Sequence, residues 1–300
     1  MKVSVIIPTY NEEEYLPKLL DCLKHQTIDE YEVIVADADS RDRTAEIARD
    51  YGAKVVPGGM PAVGRNAGAE VAKGDYYFFF DADVKINRHF LKRAYEEMQR
   101  RFVDIATCET RPLSNVPLDR MMHGFANLYV RLNQHTNPTA PGYCILIHSR
   151  LFHRIGGFDT TVVHAEDFDL TKRAAELRPF RVLDRVHVNV SVRRYRKEGR
   201  LAFIGHSIAV SWHRTFHGEI RDDFDYDFGD FTESNQQGSL RKIERAINSL
   251  TRRYKRLTRR VRKLAAGEDL PGPEVDLLQH QLQRIYSRLR NDDRGSDGGT

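Results

Sequence analysis

Residues 74–83 have the sequence GDYYFFFDAD, in which five aromatic residues are followed directly by Asp81-Ala82-Asp83. A short run of large apolar residues is typical of a strand buried on both faces, as in a parallel sheet. Two carboxylates at positions i and i+2 after such a strand can converge on one cation, and Mg²⁺ and Mn²⁺ prefer hard oxygen ligands. Acidic turns are also common without a metal, so the motif needs support from the rest of the chain.

Strand and helix patterns alternate three times up to this stretch. Helices are predicted from about Leu16, after the capping residue Asp42, and from 62 to 73. This alternation predicts an α/β doubly wound sheet that binds ligands at the carboxyl ends of its strands. The predicted strands are rich in β-branched and aromatic residues and comprise residues 3–7, 32–36, 54–56, 76–80, 104–109, 143–148 and 187–192.

The charge of the chain is unevenly distributed. Residues 1–239 carry 32 basic and 35 acidic side chains, a net charge of −3, whereas residues 240–300 carry 15 and 8, a net charge of +7. From Leu240 onward, apolar residues recur at spacings of three and four with a break at 267–273, which predicts a two-helix hairpin with coiled-coil seams. The predicted division is a globular domain at 1–220, a linker at 221–239, a basic helical hairpin at 240–290 and a disordered tail at 291–300.

The first helix of the predicted hairpin, residues 240–264, contains eleven basic residues and one acid, Glu244. One interpretation is attachment to an anionic membrane surface, to which each basic residue contributes about 1 kcal/mol. The other is a solvated charged face around a packed seam, and that seam fits either a hairpin within one chain or a homodimer. Nucleic-acid binding is not expected, since no groove-binding motif is present.

The three cysteines, Cys22, Cys108 and Cys144, show no metal-ligand spacing, and so sparse a count argues against a disulfide framework. Neither a signal peptide nor an apolar run of about 20 residues, the length of a membrane span, is evident. The sequence therefore predicts a cytoplasmic protein and leaves open a peripheral position on the cytoplasmic face of a membrane.

Three further motifs should lie at the same sheet edge as Asp81. The first strand ends in IPTYNE (7–12), the second in VADADSRDRT (35–44), and GRNAG (64–68) begins a helix. The two turns offer room for a nucleotide base and ribose, and Arg65 can pair with a carboxylate or a phosphate. Each motif alone fits a capped turn, but together and in this order they favour a nucleotide site.

Four segments carry a family resemblance: IIPTYNEE, VADADSRDRT, GRNAGAEVAKGDYYFFFDAD and IGGFDTTVVHAEDFDL. Taken in this order, the four segments resemble those of the family 2 glycosyltransferases, and the resemblance extends over about residues 2–200. The resemblance implies the mixed-sheet GT-A fold, a UDP- or GDP-sugar donor, Mn²⁺ or Mg²⁺, and inverting transfer to a hydroxyl acceptor such as a lipid-linked compound or a polysaccharide. That family often has two adjacent acids after the second strand, and Ala38 replaces the second one here, so the preferred base stays open.

The same resemblance assigns roles on the donor side. Asp83 is implied as the metal ligand, and Asp81 as a residue near the ribose that can also bind the metal. Apart from the resemblance, His213 and His217 lie four apart and would share one face of a helix, so one of them, His213 or His217, is a candidate to complete the metal shell, although a surface histidine is the commoner role. For Arg193 and Arg194, a solvated basic turn is an equal alternative to binding the diphosphate. The implied donor-binding residues are Pro8, Tyr10, Glu12, Asp37, Arg65, Asp81, Arg193 and Arg194.

An acidic cluster, HAEDFD (164–169), begins a predicted helix and is the candidate for the acceptor side. An inverting transfer needs one base that takes the proton of the acceptor hydroxyl as its oxygen attacks the anomeric carbon. Helix capping by Asp167 or Asp169 is the alternative without chemistry. Given the family resemblance, Asp167 is favoured as the base and Glu166 as the residue that orients the acceptor, with Asp169 a less favoured substitute for the base.

Two other functions are compatible with parts of the sequence. A nucleotidyltransferase should have a phosphate loop rich in Gly and Lys or Arg near the first strand, where this chain has TYNE (9–12). A catalytically degenerate scaffold that acts through its basic coiled-coil tail is the alternative from outside the enzymes. The intact Asp81, Asp83 and Asp167 argue against a scaffold, so the sequence predicts a glycosyltransferase of the hexosyl-transferring type.

Overall fold

The structure, a computed structural model, describes residues 1–162 and 165–193. The strands are β1 (Val3–Thr9), β2 (Tyr31–Asp37), β3 (Lys54–Pro57), β4 (Tyr76–Phe79), β5 (Val84–Lys85), β6 (Ile105–Pro112), β7 (Ile145–His148) and β8 (Phe180–Val190). The helices are α1 (Leu16–Lys24), α2 (Thr44–Asp50), α3 (Pro61–Glu70), α4 (Phe90–Arg100), α5 (Pro117–Asn133), α6 (Ser149–Arg154) and α7 (Glu166–Leu177).

The strands form one mixed sheet in the order β3-β2-β1-β4-β7-β6-β8-β5. The first four strands are parallel, as expected when a helix returns the chain between consecutive strands. Strand β7 is antiparallel to both β4 and β6, whereas β8 is parallel to β6. The α/β doubly wound sheet predicted from the alternating patterns is therefore present.

Apolar layers cover both faces of the sheet. Successive side chains of a strand point to opposite faces, so the five aromatic residues of 76–80 are divided between the layers. Tyr76, Phe78 and Phe80 pack in one layer, and Tyr77 and Phe79 pack in the other. Full burial of a Phe side chain contributes roughly 1.5–3 kcal/mol. This burial on both faces explains why the run is continuous rather than alternating with polar residues.

The later strands differ most from the sequence prediction. Strand β8 begins at Phe180, seven residues before the predicted segment 187–192, and its partner β6 shifts register between Cys108 and Glu109. Opposite that shift, the partner of Cys108 is Leu183 and that of Glu109 is His187, so the charged pair Asp184-Arg185 lies in a bulge. The bulge interrupts the apolar pattern of β8, so the sequence did not predict the part of the strand before residue 187.

Strands β1, β2 and β4 end side by side because they are parallel neighbours. Thr9 is paired with Asp37 at the last position of the β1–β2 ladder, and the amide of Phe80 donates to the carbonyl of Ile6. The motifs that follow these strands consequently lie at one edge of the sheet, as predicted.

Several predictions concern residues outside the described ranges. These are Arg194, His213, the linker at 221–239, the basic hairpin at 240–290 and the tail at 291–300. Within residues 1–162 and 165–193, no helix combines the length and apolar character that a membrane crossing requires.

Candidate active site

Arg65, on α3, joins two distant acidic segments. Its side chain is only 3% exposed; Nη1 donates to Glu166 Oε1 at 2.6 Å and Nη2 to Asp81 Oδ1 at 3.0 Å. Glu166 is 101 residues further along the chain and begins α7. Burial opposes the charge of Arg65, but the carboxylates of Asp81, Glu166 and Asp167 outweigh it and raise the pKa of the guanidinium. The Asp-x-Asp motif and the acidic cluster at the start of α7 therefore share one cation.

The turn at 156–159 supports Arg65 from one side. The ring of Phe158 lies 5.3 Å from the guanidinium carbon of Arg65. Asn66 fixes that turn, since its Nδ2 donates to the Phe158 carbonyl at 2.8 Å and its Oδ1 accepts from the Phe158 amide at 2.9 Å. Gly157 has φ +71°, a left-handed conformation that favours glycine. The sequence indicated the turn, but nothing in it identified Asn66 as the residue that holds the turn.

Asp167 has an amide donor on each carboxylate oxygen. The Gly142 amide donates to Oδ2 at 2.6 Å and the Phe168 amide to Oδ1 at 2.9 Å. Loss of solvent, followed by repulsion from Glu166, raises the pKa of Asp167 to about 7, against the opposing charge of Arg65. A carboxyl group with a pKa near neutrality is a far better general base than an ordinary aspartate.

A second arginine lies among the remaining acids of the site. Arg193 Nε is 2.9 Å from Asp83 Oδ2, and Arg193 Nη1 donates to Glu12 Oε2 at 2.7 Å. The guanidinium also lies 4.6 Å from the centre of the Tyr15 ring. Loss of solvent raises the pKa of Asp83 to about 6; Arg193 opposes this shift, and Asp81 and Glu12 add to it. Arg193 thus supplies the positive charge that these carboxylates need.

Hydrogen bonds connect the end of β1 with the end of β2 and its following turn. Asp37 Oδ1 accepts from the hydroxyl of Thr9 at 3.0 Å and from that of Ser40 at 2.6 Å. Tyr10 is 55% exposed at this edge, and Pro8 precedes it inside β1. Among the predicted donor residues that the structure describes, Tyr10 is therefore the most open to a ligand, whereas Asp37 already accepts hydrogen bonds from its own neighbours.

The two acids of the Asp-x-Asp motif face different arginines. Asp81 pairs with Arg65, while Asp83 pairs with Arg193. Among the described residues, no three or more His, Cys, Asp or Glu side chains are grouped to hold a metal ion. The pair nevertheless offers two hard oxygen donors, which suits Mg²⁺ or Mn²⁺ because these ions commonly take their other ligands from water and substrate phosphates.

Comparison with known proteins identifies the family of the chain. The profile described as Glycosyl transferase family 2 matches residues 4–156, just over half of the 300 residues. The chain belongs to glycosyl transferase family 2. The family resemblance found in the sequence is thereby confirmed. The matched range contains Arg65 and the Asp-x-Asp motif and ends before α7.

Relatives of this family 2 chain include the 4,4'-diaponeurosporenoate glycosyltransferase of Staphylococcus haemolyticus, 44% identical over 108 residues, which are 33% of this chain and 28% of that protein. Across several curated relatives, the matches span only 18–33% of their own lengths.

Two solved structures support the GT-A-type mixed sheet. Residues 1–349 of Staphylococcus aureus TarS, in complex with UDP-GlcNAc, align with TM-score 0.53 and 26% identity, covering 64% of this chain and 58% of that one. The mannosyltransferase PcManGT of Pyrobaculum calidifontis, in complex with GDP-Man and Mn²⁺, aligns with TM-score 0.52 and 23% identity, covering 69% and 64%. The predicted fold class is confirmed for the described residues.

Proposed function

We propose that this chain is an inverting glycosyltransferase of the hexosyl-transferring type, which moves a sugar from a UDP- or GDP-sugar to a hydroxyl acceptor. One observation carries the proposal: buried Arg65 holds Asp81, after β4, and Glu166, at the start of α7, within 3.0 Å of its guanidinium. An enzyme that transfers a group needs its donor and acceptor groups within one site. The two ion pairs of Arg65 hold the proposed donor-side and acceptor-side carboxylates close together.

On the donor side, the turns after β1 and β2 are proposed to bind the nucleoside. Tyr10 offers an exposed aromatic ring for stacking, and Pro8 and Asp37 lie at the same hydrogen-bonded strand ends. TarS, which shares the fold at 26% identity, was crystallised with UDP-GlcNAc, in agreement with a nucleotide-sugar ligand. The ribose is then expected near Asp81.

We propose Asp83 and Asp81 as ligands of Mn²⁺ or Mg²⁺, with His213 a further candidate outside the described residues. A divalent cation at this position would stabilise the negative charge of the departing nucleoside diphosphate. Arg193 and Arg194 are proposed to pair with the diphosphate, because a guanidinium binds phosphate oxygens through parallel hydrogen bonds. In the structure, Arg193 is neutralised by Glu12 and Asp83, so it would exchange carboxylate partners for phosphate.

The proposed base is Asp167. It takes the proton of the acceptor hydroxyl while the oxygen attacks the anomeric carbon, and the bond from that carbon to the diphosphate breaks on the opposite face. One displacement of this kind inverts the anomeric configuration. Glu166, held by Arg65 through Oε1, is proposed to orient the acceptor with its other oxygen.

The basic segment 240–264 is proposed to contact an anionic membrane surface from the cytoplasmic side. Such contact would bring the enzyme to a lipid-linked acceptor or to a growing polysaccharide. A homodimer formed through the seams of 240–290 is the second arrangement that the sequence allows.

A thermal-shift screen tests the donor proposal. The full chain is melted with UDP-GlcNAc, UDP-glucose or GDP-mannose, each with and without Mn²⁺. A ligand that binds only the folded state raises the melting temperature by mass action, so a donor should give a shift that depends on Mn²⁺. No shift with any nucleotide sugar, alongside an intact melting transition, would contradict the proposal and favour a scaffold role.

A further inference from the structure

The segment 140–142, between α5 and β7, enters the site beside Asp167. The amide of Gly142 donates to Asp167 Oδ2 at 2.6 Å, and its carbonyl accepts from Arg65 Nη2 at 3.4 Å. A single residue therefore contacts the proposed base and the arginine that joins the two halves of the site. Both polar groups of its main chain are used in these contacts.

Glycine is needed at this position for space rather than for backbone conformation, since Gly142 is not among the described residues with positive φ. A Cβ atom on residue 142 would lie 2.7 Å from Arg65 Nη2 and 3.3 Å from Asp167 Oδ2. The first distance is too short for a van der Waals contact, so the guanidinium would have to move. Arg65 is held by Asp81 and Glu166 and is 3% exposed, so such a movement would disturb one of these ion pairs.

A second contact attaches the same segment to α7. The hydroxyl of Thr171, a fully buried residue, accepts from the amide of Ala140 at 3.2 Å and donates to the carbonyl of Asp167 at 2.7 Å. The segment is therefore hydrogen-bonded to α7 at two points, the carboxylate of Asp167 and the hydroxyl of Thr171, which lies one turn later. Together these bonds determine where the Gly142 amide lies relative to Asp167.

We infer that Gly142 is a positioning residue for Asp167, acting through its main-chain amide, and that Thr171 holds the segment 140–142 in the place this requires. The inference rests on the proposed role of Asp167 as the base. An aspartate that accepts one amide on each oxygen has a fixed orientation, and these hydrogen bonds favour its anionic form. Among the described residues, the charged groups that act on Asp167 are Glu166 on its own helix and Arg65 on α3, which also pairs with Asp81.

The first test compares Gly142→Ala with the wild type in the full chain. Aspartate carboxyl carbons are labelled with ¹³C, the resonance of Asp167 is identified by its loss in Asp167→Asn, and its titration is followed by NMR. In Gly142→Ala the displaced guanidinium and amide stabilise the anion less, so Asp167 is expected to titrate at a higher pH than in the wild type. Titration at the wild-type pH would overturn the inference.

Gly52→Ala is the matched control. Gly52 has φ +80° and no atom within 4 Å of an added Cβ, so alanine there strains the backbone without touching the site. It should lower the melting temperature and leave the titration of Asp167 unchanged. A shift as large as that of Gly142→Ala would mean that loss of stability alone moves the titration, and would overturn the inference.

A pair of variants at Thr171 keeps the inference testable if Gly142→Ala does not fold. Thr171→Val removes the hydroxyl at nearly constant volume and should raise the titration pH of Asp167, whereas Thr171→Ser keeps the hydroxyl and should restore it. Equal titrations in the two variants would overturn the inference. None of these readouts requires a substrate, so they stand apart from the proposed function, which fails separately if Asp167→Asn retains full transfer.

Discussion

At Arg65, one guanidinium meets carboxylates from two segments that lie far apart in the chain. Removing one partner of a buried ion pair leaves the other charge without compensation, at a cost of about 3–5 kcal/mol. An exposed pair contributes about 1 kcal/mol or less. The role of Arg65 therefore has a consequence for stability as well as for chemistry.

Arg65→Met should lower the free energy of unfolding by about 3–5 kcal/mol, because Asp81, Glu166 and Asp167 then lie together without their cation. Urea unfolding at pH 7 measures the loss. Arg43→Met is the control, since Arg43 pairs with Glu46 on the surface and its replacement should lower the free energy of unfolding far less. Equal losses in the two variants would contradict the bridging role of Arg65.

Asp167→Asn should reduce sugar transfer roughly 10²–10⁴-fold, the usual contribution of a positioned general base. The donor-induced thermal shift should persist, because Asp167 is proposed to act on the acceptor. Asp169→Asn, three positions from the start of the same helix, should retain transfer. If Asp169→Asn lost transfer and Asp167→Asn kept it, the base would have to be reassigned.

The transfer rate should depend on pH through Asp167. Its pKa is raised to about 7, mainly by loss of solvent, and only the deprotonated carboxylate can accept a proton. The rate should therefore be low at pH 5, rise through about pH 7 and level off above it. Initial rates between pH 5 and 9 at saturating donor would show this limb, and a rate independent of pH across this range would contradict the assignment.

Among the elements, β6 and the residue just before β7 carry a pair of thiols whose proximity the sequence did not predict. The sulfurs of Cys108 and Cys144 lie 3.6 Å apart, and both side chains are buried. Burial also raises the pKa of the Cys108 thiol, which disfavours the reactive thiolate. All three cysteines are free thiols in the structure.

The native protein should accordingly react with no more than one equivalent of a thiol reagent such as Ellman's reagent, at the partly buried Cys22. Unfolding in guanidinium chloride should release all three thiols. Cys22→Ser should abolish the native reaction and leave two thiols in the unfolded state. Rapid reaction of two native thiols would show that the β6–β7 region opens easily.

For the whole molecule, the uneven charge predicts a separate function for the basic end of the chain. Neutralising Arg252, Arg253, Arg259 and Arg260 with serine should weaken binding to phosphatidylserine vesicles by roughly 10³-fold, at about 1 kcal/mol per residue. The donor-induced thermal shift should be unaffected. Vesicle sedimentation measures the binding, with neutral phosphatidylcholine vesicles as the control. Unchanged binding would favour the seam and dimer interpretation.

Local patterns in the sequence were sufficient to predict the sheet of the first hundred residues and the turns that carry Asp37 and Asp81. Side-chain periodicity follows directly from backbone geometry, so β1, β2, β4 and their helices were predicted within a few residues. The parallel order of these strands then placed the Asp81 and Asp37 turns at one edge. Of the eleven residues of β8, only the four at 187–190 lie in the predicted segment, because a bulge with charged residues interrupts the pattern.

Only the tertiary structure showed which side chains meet. Three contacts join segments that lie 25 to 101 residues apart in the chain. They are the ion pair of Arg65 with Glu166, the hydrogen bonds of Asn66 with Phe158 and the hydrogen bond of Gly142 with Asp167. Two of these contacts use main-chain atoms of one partner, which leave no mark on residue type. The three contacts depend on the order of the strands in the sheet and on the paths of the long loops. Packing of the whole domain determines both, and the local spacing of apolar residues does not.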